Sequence, residues 1–277
     1  MNRREFIQTT LLGGTAVMLA PGLSWAVDGG ATLKAIKDRG ALRIGVFNGT
    51  APYYQKDLAT GEWAGFCVSM GKDLAEYIGV PLEMVETTWG NSVMDLQGGK
   101  IDIMFALSNN PERAKAVDFT EAMMDNVFTI ITSKDREIKN WEELNKPEIR
   151  VTVDLGSTQD LFARKTLSNC TLVALKGADE TIIALQSGRA DAIVQVALMS
   201  VVTTHKLGSK YKVFVPEPQD SQPTTIGVRK DANGEFRDYV DVWLKKRREE
   251  GKVNEWIVSS LSLVGVQPSD LPPTLKF

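Results

Sequence analysis

One histidine and two cysteines in 277 residues leave little for metal or thiol chemistry. Cys67 and Cys170 stand neither in a C-x-x-C pair nor beside histidine, so zinc and dithiol redox centres lack their usual spacing. Two free thiols are the expectation, and a disulfide-dense miniprotein is excluded. His205 precedes Lys206 at an expected helix end with no evident partner and reads as a surface residue. The chain has no G-x-S-x-G, G-x-G-x-x-G, Walker loop or H-E-x-x-H, so neither cofactor nor metal is expected. A basic excess is also missing: 32 Lys and Arg face 35 Asp and Glu, a formal charge of -3, which argues against nucleic acid as a partner. The apolar run over residues 11–23 is about 13 residues, well short of the ~20 that span a bilayer as a helix.

What is present is ordinary globular material, 43% hydrophobic and 24% charged. At roughly 150 residues per domain the length predicts about two domains. The first 26 residues read as an export signal. Arg3-Arg4-Glu5-Phe6-Ile7 resembles a twin-arginine motif, a glycine-diluted apolar run follows, and Ser24-Trp25-Ala26 offers small residues for cleavage after Ala26. No cysteine follows that could carry a lipid anchor. Removing Arg3, Arg4 and Glu5 with the signal leaves 30 basic and 34 acidic residues, a charge of -4 on an exported, soluble chain.

Beyond the signal, short strand patterns alternate with helical ones. Leu42-Arg43-Ile44-Gly45-Val46-Phe47 is a strand run; Phe66, Met70, Leu74 and Ile78 form a helical stripe that Gly79 ends; Leu82-Glu83-Met84-Val85 and Ile101-Asp102-Ile103-Met104-Phe105 are strands again. Val151-Thr152-Val153, residues 182–186 and Ala192-Ile193-Val194 repeat the alternation, which predicts α/β structure with largely parallel sheets. Leu96-Gln97-Gly98-Gly99-Lys100-Ile101-Asp102-Ile103 is echoed 89 positions later by Leu185-Gln186-Ser187-Gly188-Arg189-Ala190-Asp191-Ala192. Each stretch reads as a helix end, a left-handed glycine, a cation and an entering strand. Two similarly built lobes are predicted, with Asp102 and Asp191 structural.

Two strand-to-helix junctions could bind an anion. In Ala106-Leu107-Ser108-Asn109-Asn110-Pro111-Glu112-Arg113, an Asn cap and Pro at the first helical position start a helix, with Ser108 and Arg113 beside its amides. Gly156-Ser157-Thr158-Gln159-Asp160 opens a second helix with hydroxyl caps. In open α/β sheets ligands settle at such carboxyl-end mouths, and two of them would face each other across a cleft.

The ordered series Leu42-Arg43-Ile44-Gly45-Val46, Ala51-Pro52-Tyr53, Gly65-Phe66, Trp89, Gly99-Lys100-Ile101-Asp102, Pro111-Glu112-Arg113 with Asp118-Phe119-Thr120, Gly156-Ser157-Thr158, Gly188-Arg189-Ala190-Asp191-Ala192 and Gly227-Val228-Arg229-Lys230 resembles the periplasmic amino-acid-binding proteins of ABC importers, solute-binding family 3. The likeness runs over about residues 33–260. It implies a two-lobed periplasmic-binding-protein fold of type II, hinged by two crossing strands near residues 126–132 and 224–229. Lobe 1 would then be residues 27–125 and 228–277, and lobe 2 residues 126–227. It also implies a monomeric periplasmic receptor for a small carboxylate, with an ABC permease in the inner membrane as partner.

By the same resemblance Arg113 clamps the ligand carboxylate, Ser108, Ser157, Thr158 and Gln159 assist it, and Tyr53 and Trp89 flank the ligand body. The chain also departs from the family. Gly65-Phe66-Cys67-Val68-Ser69 replaces the usual Gly-Phe-Asp-Val-Asp, the stretch from Asp102 to Arg113 is one residue short at Ala106 and Leu107, and Phe47 stands where relatives that bind cations place an acid. Val196 stands where the acid for a ligand ammonium is expected. An apolar wall of Val196, Met199, Phe47 and Trp89 would favour a ligand without that ammonium; the rival is a zwitterion met by Asp154 or Asp220. Cyclohexadienyl dehydratases share the fold, which makes a lyase the alternative. Their catalytic acid aligns near Met199, so the expectation is a binding protein and not an enzyme.

Overall fold

The stripe of Phe66, Met70, Leu74 and Ile78 winds into a helix, Phe66–Ile78, whose four stripe residues are all buried. Gly79 ends it at φ 86°, its N–H reaching back to the carbonyls of Ala75 and Glu76. At its other end Gly65 has φ 117°, and a side chain there would run into the Tyr53 carbonyl. Only glycine suits that close approach.

The computed structural model describes residues 29–270; the expected export signal and its cleavage site lie outside them. In chain order, α1 (Gly30–Arg39) leads to β1 (Leu42–Val46), the hairpin β2 (Gln55–Lys56) and β3 (Trp63–Ala64), α2 (Phe66–Ile78), β4 (Leu82–Glu86), α3 (Trp89–Gln97), β5 (Ile103–Phe105), α4 (Pro111–Ala114) and β6 (Asp118–Phe119). Then come β7 (Met124–Ser133), α5 (Trp141–Leu144), β8 (Arg150–Asp154), α6 (Thr158–Thr166), β9 (Thr171–Leu175), α7 (Ala178–Gln186), β10 (Ala192–Val196), α8 (Ala197–Leu207), β11 (Tyr211–Phe214) and β12 (Ser221–Thr224). The chain closes with β13 (Ile226–Val228), α9 (Glu235–Glu249) and α10 (Lys252–Leu263).

Two sheets make two lobes. The first has the order β4-β1-β5-β13-β6; the second has β11-β7-β10-β8-β9, with β12 also pairing β7. The chain passes between them at β7 and returns between Thr224, paired with Met124, and Ile226, paired with Phe105. The sheets are mixed, not largely parallel. The βα units run parallel, Leu42 beside Leu82 and Val151 beside Leu172, but each returning or crossing strand meets its neighbours antiparallel. A chain that enters and leaves each lobe along its sheet forces that reversal.

The internal echo is a matched pair of brackets. Gly99 and Gly188 have φ 67° and 69°, and the aspartates that follow tie each sheet to its first strand. Asp102 accepts from the Arg43 backbone N–H at 2.9 Å and pairs with the guanidinium groups of Arg43 and Arg39. Asp191 accepts from the Arg150 backbone N–H at 2.9 Å and pairs with the guanidinium groups of Arg150 and Arg136. No described helix is long and apolar enough to cross a membrane. Cys67 is buried in α2 and Cys170 half-buried in the second lobe, both free, and His205 is exposed.

Candidate functional site

The mouths of the two lobes meet along one seam. Asn110 caps α4 by accepting from the Arg113 N–H at 2.9 Å, which sets the arginine facing the second lobe. Across from it, Ser157 caps α6, its hydroxyl accepting from the Asp160 N–H at 3.1 Å while the Asp160 carboxylate accepts from the Gly156 N–H at 2.9 Å. That reciprocal pair fixes the loop. It also lets Gly156, at φ 75°, lie against Gly90 of the first lobe, where an added Cβ would come within 2.9 Å of the Gly90 Cα.

Arg113 is only 8% exposed and bridges the lobes, donating to the carbonyls of Ser108 and Gly156, each at 2.8 Å. Desolvation pulls it down to about 10, so it stays charged at neutral pH. Among the described residues no carboxylate pairs with it.

Beside this contact the seam encloses a cavity of about 20 Å³, room for about one water. The first lobe contributes Tyr53, Trp89, Ala106 and Ser108; the second contributes Thr158, Gln159, Val196 and Met199. Asn126 enters from the crossing strand β7. Ala106 is the one non-glycine among the described residues with positive φ, 62°. Such backbone strain persists where the surroundings over-determine it. On the outer side of Trp89 lies a wider depression of about 570 Å³, bordered by Arg113, Pro111, Gly156 and Leu161.

The expected site residues thus sort by place. Tyr53, Trp89, Ser108, Thr158, Gln159 and Val196 come together on the cavity; Arg113 does not line it but borders the outer depression that shares Trp89 with it, and donates to the carbonyl of Ser108, a cavity residue. Phe47 does not line it; the ring backs Trp89 edge-on with centroids 4.4 Å apart and also touches Tyr54. Ser157 is fully buried and spends its hydroxyl on the helix cap. Neither Asp154 nor Asp220 borders the cavity.

Asn126 and Thr224 are the additions. The Tyr53 hydroxyl donates to Asn126 Oδ1 at 2.6 Å, and Asn126 Nδ2 donates to Thr224 Oγ1 at 2.5 Å. This buried chain joins the aromatic wall to both crossing segments, and burial drives the Tyr53 phenol well above its ordinary range. The sequence offered only a slight signal, Asn126 standing third in β7 beside Asp125 and just before Val127 and Phe128.

Bacterial extracellular solute-binding proteins, family 3, match residues 42–258. The chain belongs to that family. It is 26% identical to a cyclohexadienyl dehydratase of Pseudomonas aeruginosa over 80% of this chain and 83% of that protein. It is 27% identical to the ABC transporter glutamine-binding protein GlnH of Bacillus subtilis, over 81% and 82%. Among solved structures it resembles an ancestral amino-acid-binding protein, AncCDT-1, described as a precursor of cyclohexadienyl dehydratase, with 33% identity and a TM-score of 0.75 over 82% of this chain and 100% of that one. The two-lobed type II fold is that of these family 3 neighbours, which include both binding proteins and an enzyme.

Proposed function

We propose that this family 3 protein is the periplasmic receptor of an ABC importer and captures an amino acid or related small carboxylate between its lobes. The observation that carries the reading is Arg113, a buried cation on the lobe seam with no described carboxylate to balance it. An uncompensated buried charge costs several kcal/mol, and a bidentate carboxylate relieves that cost. As the lobes part, the Gly156 carbonyl gives way to the ligand. Ser108, Thr158 and Gln159 then add hydrogen bonds, Tyr53 and Trp89 flank the ligand body, and Val196 closes the far wall. Phe47 and Ser157 act from behind, by backing Trp89 and by capping α6. The receptor works as a monomer, with lobes divided near residues 126 and 227, and reaches the periplasm by the twin-arginine route with cleavage after Ala26.

A second reading, a dehydratase-like lyase, draws on the Pseudomonas relative. Elimination needs a group that gives or takes a proton within reach. The cavity residues include no carboxylate, imidazole or amine, the Tyr53 phenol is kept protonated by burial with its hydroxyl given to Asn126, and by the resemblance the acid's position falls near Met199. Binding is therefore preferred. Calorimetric titration with a panel of small carboxylates tests it: Arg113→Ala should weaken whichever compound binds by about 2–5 kcal/mol. Unchanged affinity in that variant overturns the proposal, and turnover of a cyclohexadienyl acid would favour the lyase.

A further inference from the structure

Resting on the receptor reading, we infer that the ligand is a carboxylic acid without an amine, such as a 2-oxo acid with an apolar body. The cavity is supplied with hydrogen-bond donors and with partial positive charge, and it lacks any anion. Two helices of the second lobe begin on it. Thr158 and Gln159 belong to the first turn of α6, and Val196 and Met199 belong to the start of α8. Val196 is the N-cap of α8 and supplies no side-chain acceptor, so the first amides of that 11-residue helix are not capped by its side chain. The α6 end already carries Asp160 in its first turn, whereas α8 has no acidic residue there; an N-terminus of that kind favours negative charge and opposes an ammonium.

Trp89 supplies an independent observation. It is 8% exposed and lines the cavity, yet its Nε1–H is buried with no acceptor among the described residues. An unmatched buried donor calls for an acceptor oxygen. Asn126, the amide that could have offered its oxygen to an ammonium, has that oxygen engaged by the Tyr53 hydroxyl at 2.6 Å. Arg113, on the outer depression that shares Trp89 with the cavity, adds a full positive charge nearby. A ligand carrying a carboxylate and a second acceptor oxygen suits these donors and positive ends, whereas an α-ammonium finds no carboxylate among the residues lining the cavity.

Matched pairs test the inference: leucine against 4-methyl-2-oxopentanoate, and phenylalanine against phenylpyruvate, titrated into the full-length mature protein. The oxo acid of at least one pair should bind tenfold or more tightly than its amino acid. Val196→Asp, which caps α8 and adds a carboxylate, should reverse that order. Val196→Asn, which caps the helix without charge, should keep it and so separates charge from capping. Asp154→Asn should also leave it unchanged. Tighter binding of the amino acids by the unaltered protein overturns the inference and leaves the receptor reading intact, and loss of that binding in Asp154→Asn would identify the ammonium partner. Binding of neither series at millimolar concentration removes both.

Discussion

Asp154 ends β8 with its carboxyl half-buried and without a described cation to pair with it. Burial first, and then Asp160, Glu180 and Asp179, raise it from an ordinary 3.8 to about 7. The folded protein therefore holds a proton there over a pH range in which the unfolded chain has released it. Where the folded state binds more protons, stability falls as pH rises. The loss begins near pH 4, deepens to about pH 7 and is constant above. The whole displacement corresponds to about 4 kcal/mol, and solvent reaching a half-buried group brings the expected plateau to about 2 kcal/mol. Asp154→Asn removes the charge and keeps the shape. Urea denaturation of both proteins should give equal stability near pH 4, with the variant ahead by about 2 kcal/mol at pH 8. A difference independent of pH refutes the reasoning, because it would mean that Asp154 titrates alike folded and unfolded; a variant weaker at pH 8 refutes it too, because it would mean that the ionised carboxylate is stabilised by folding.

Other expectations concern closure and scaffold. Gly156→Ala places a Cβ against Gly90 at a backbone φ of 75°; strain of ~1–3 kcal/mol should hold the lobes apart, read as a larger radius of gyration by solution scattering with ligand present, together with weaker binding. Asp102→Ala strands Arg39 and Arg43 and should cost about 3 kcal/mol or more in denaturation experiments. An unchanged midpoint there would show that the paired brackets are dispensable.

Local chemistry was readable in the sequence wherever it repeats at short range. The stripe ending at Gly79, the Asn110-Pro111 and Ser157 helix starts, and the twin aspartates with their left-handed glycines all depend on residues within a few positions or one turn, and each lies where the pattern put it. The gathering of Tyr53, Trp89, Ser108, Thr158, Gln159 and Val196 on one cavity was legible through the ordered resemblance, because no single stretch contains more than two of them. What escaped depends on pairing over long distances. The bond from Arg113 to the Gly156 carbonyl spans 43 positions, and that from Asn126 to Thr224 spans 98. Neither has a local signature. Phe47 shows the opposite limit: an aromatic next to the site in sequence turned its ring onto Trp89 and Tyr54, since an apolar face is better buried against rings than left facing the polar seam. The mixed sheets follow from the same long-range cause, because strand direction is set by where the chain crosses between lobes and not by the residues within a strand.

The central claim is that Arg113 holds a small carboxylate between the lobes. Native mass spectrometry of the mature protein and of Arg113→Ala, purified side by side without refolding, tests it most directly. The account predicts a small-acid adduct on the unaltered protein that is missing or sharply reduced in the variant. An adduct of the same mass and occupancy on both would contradict it.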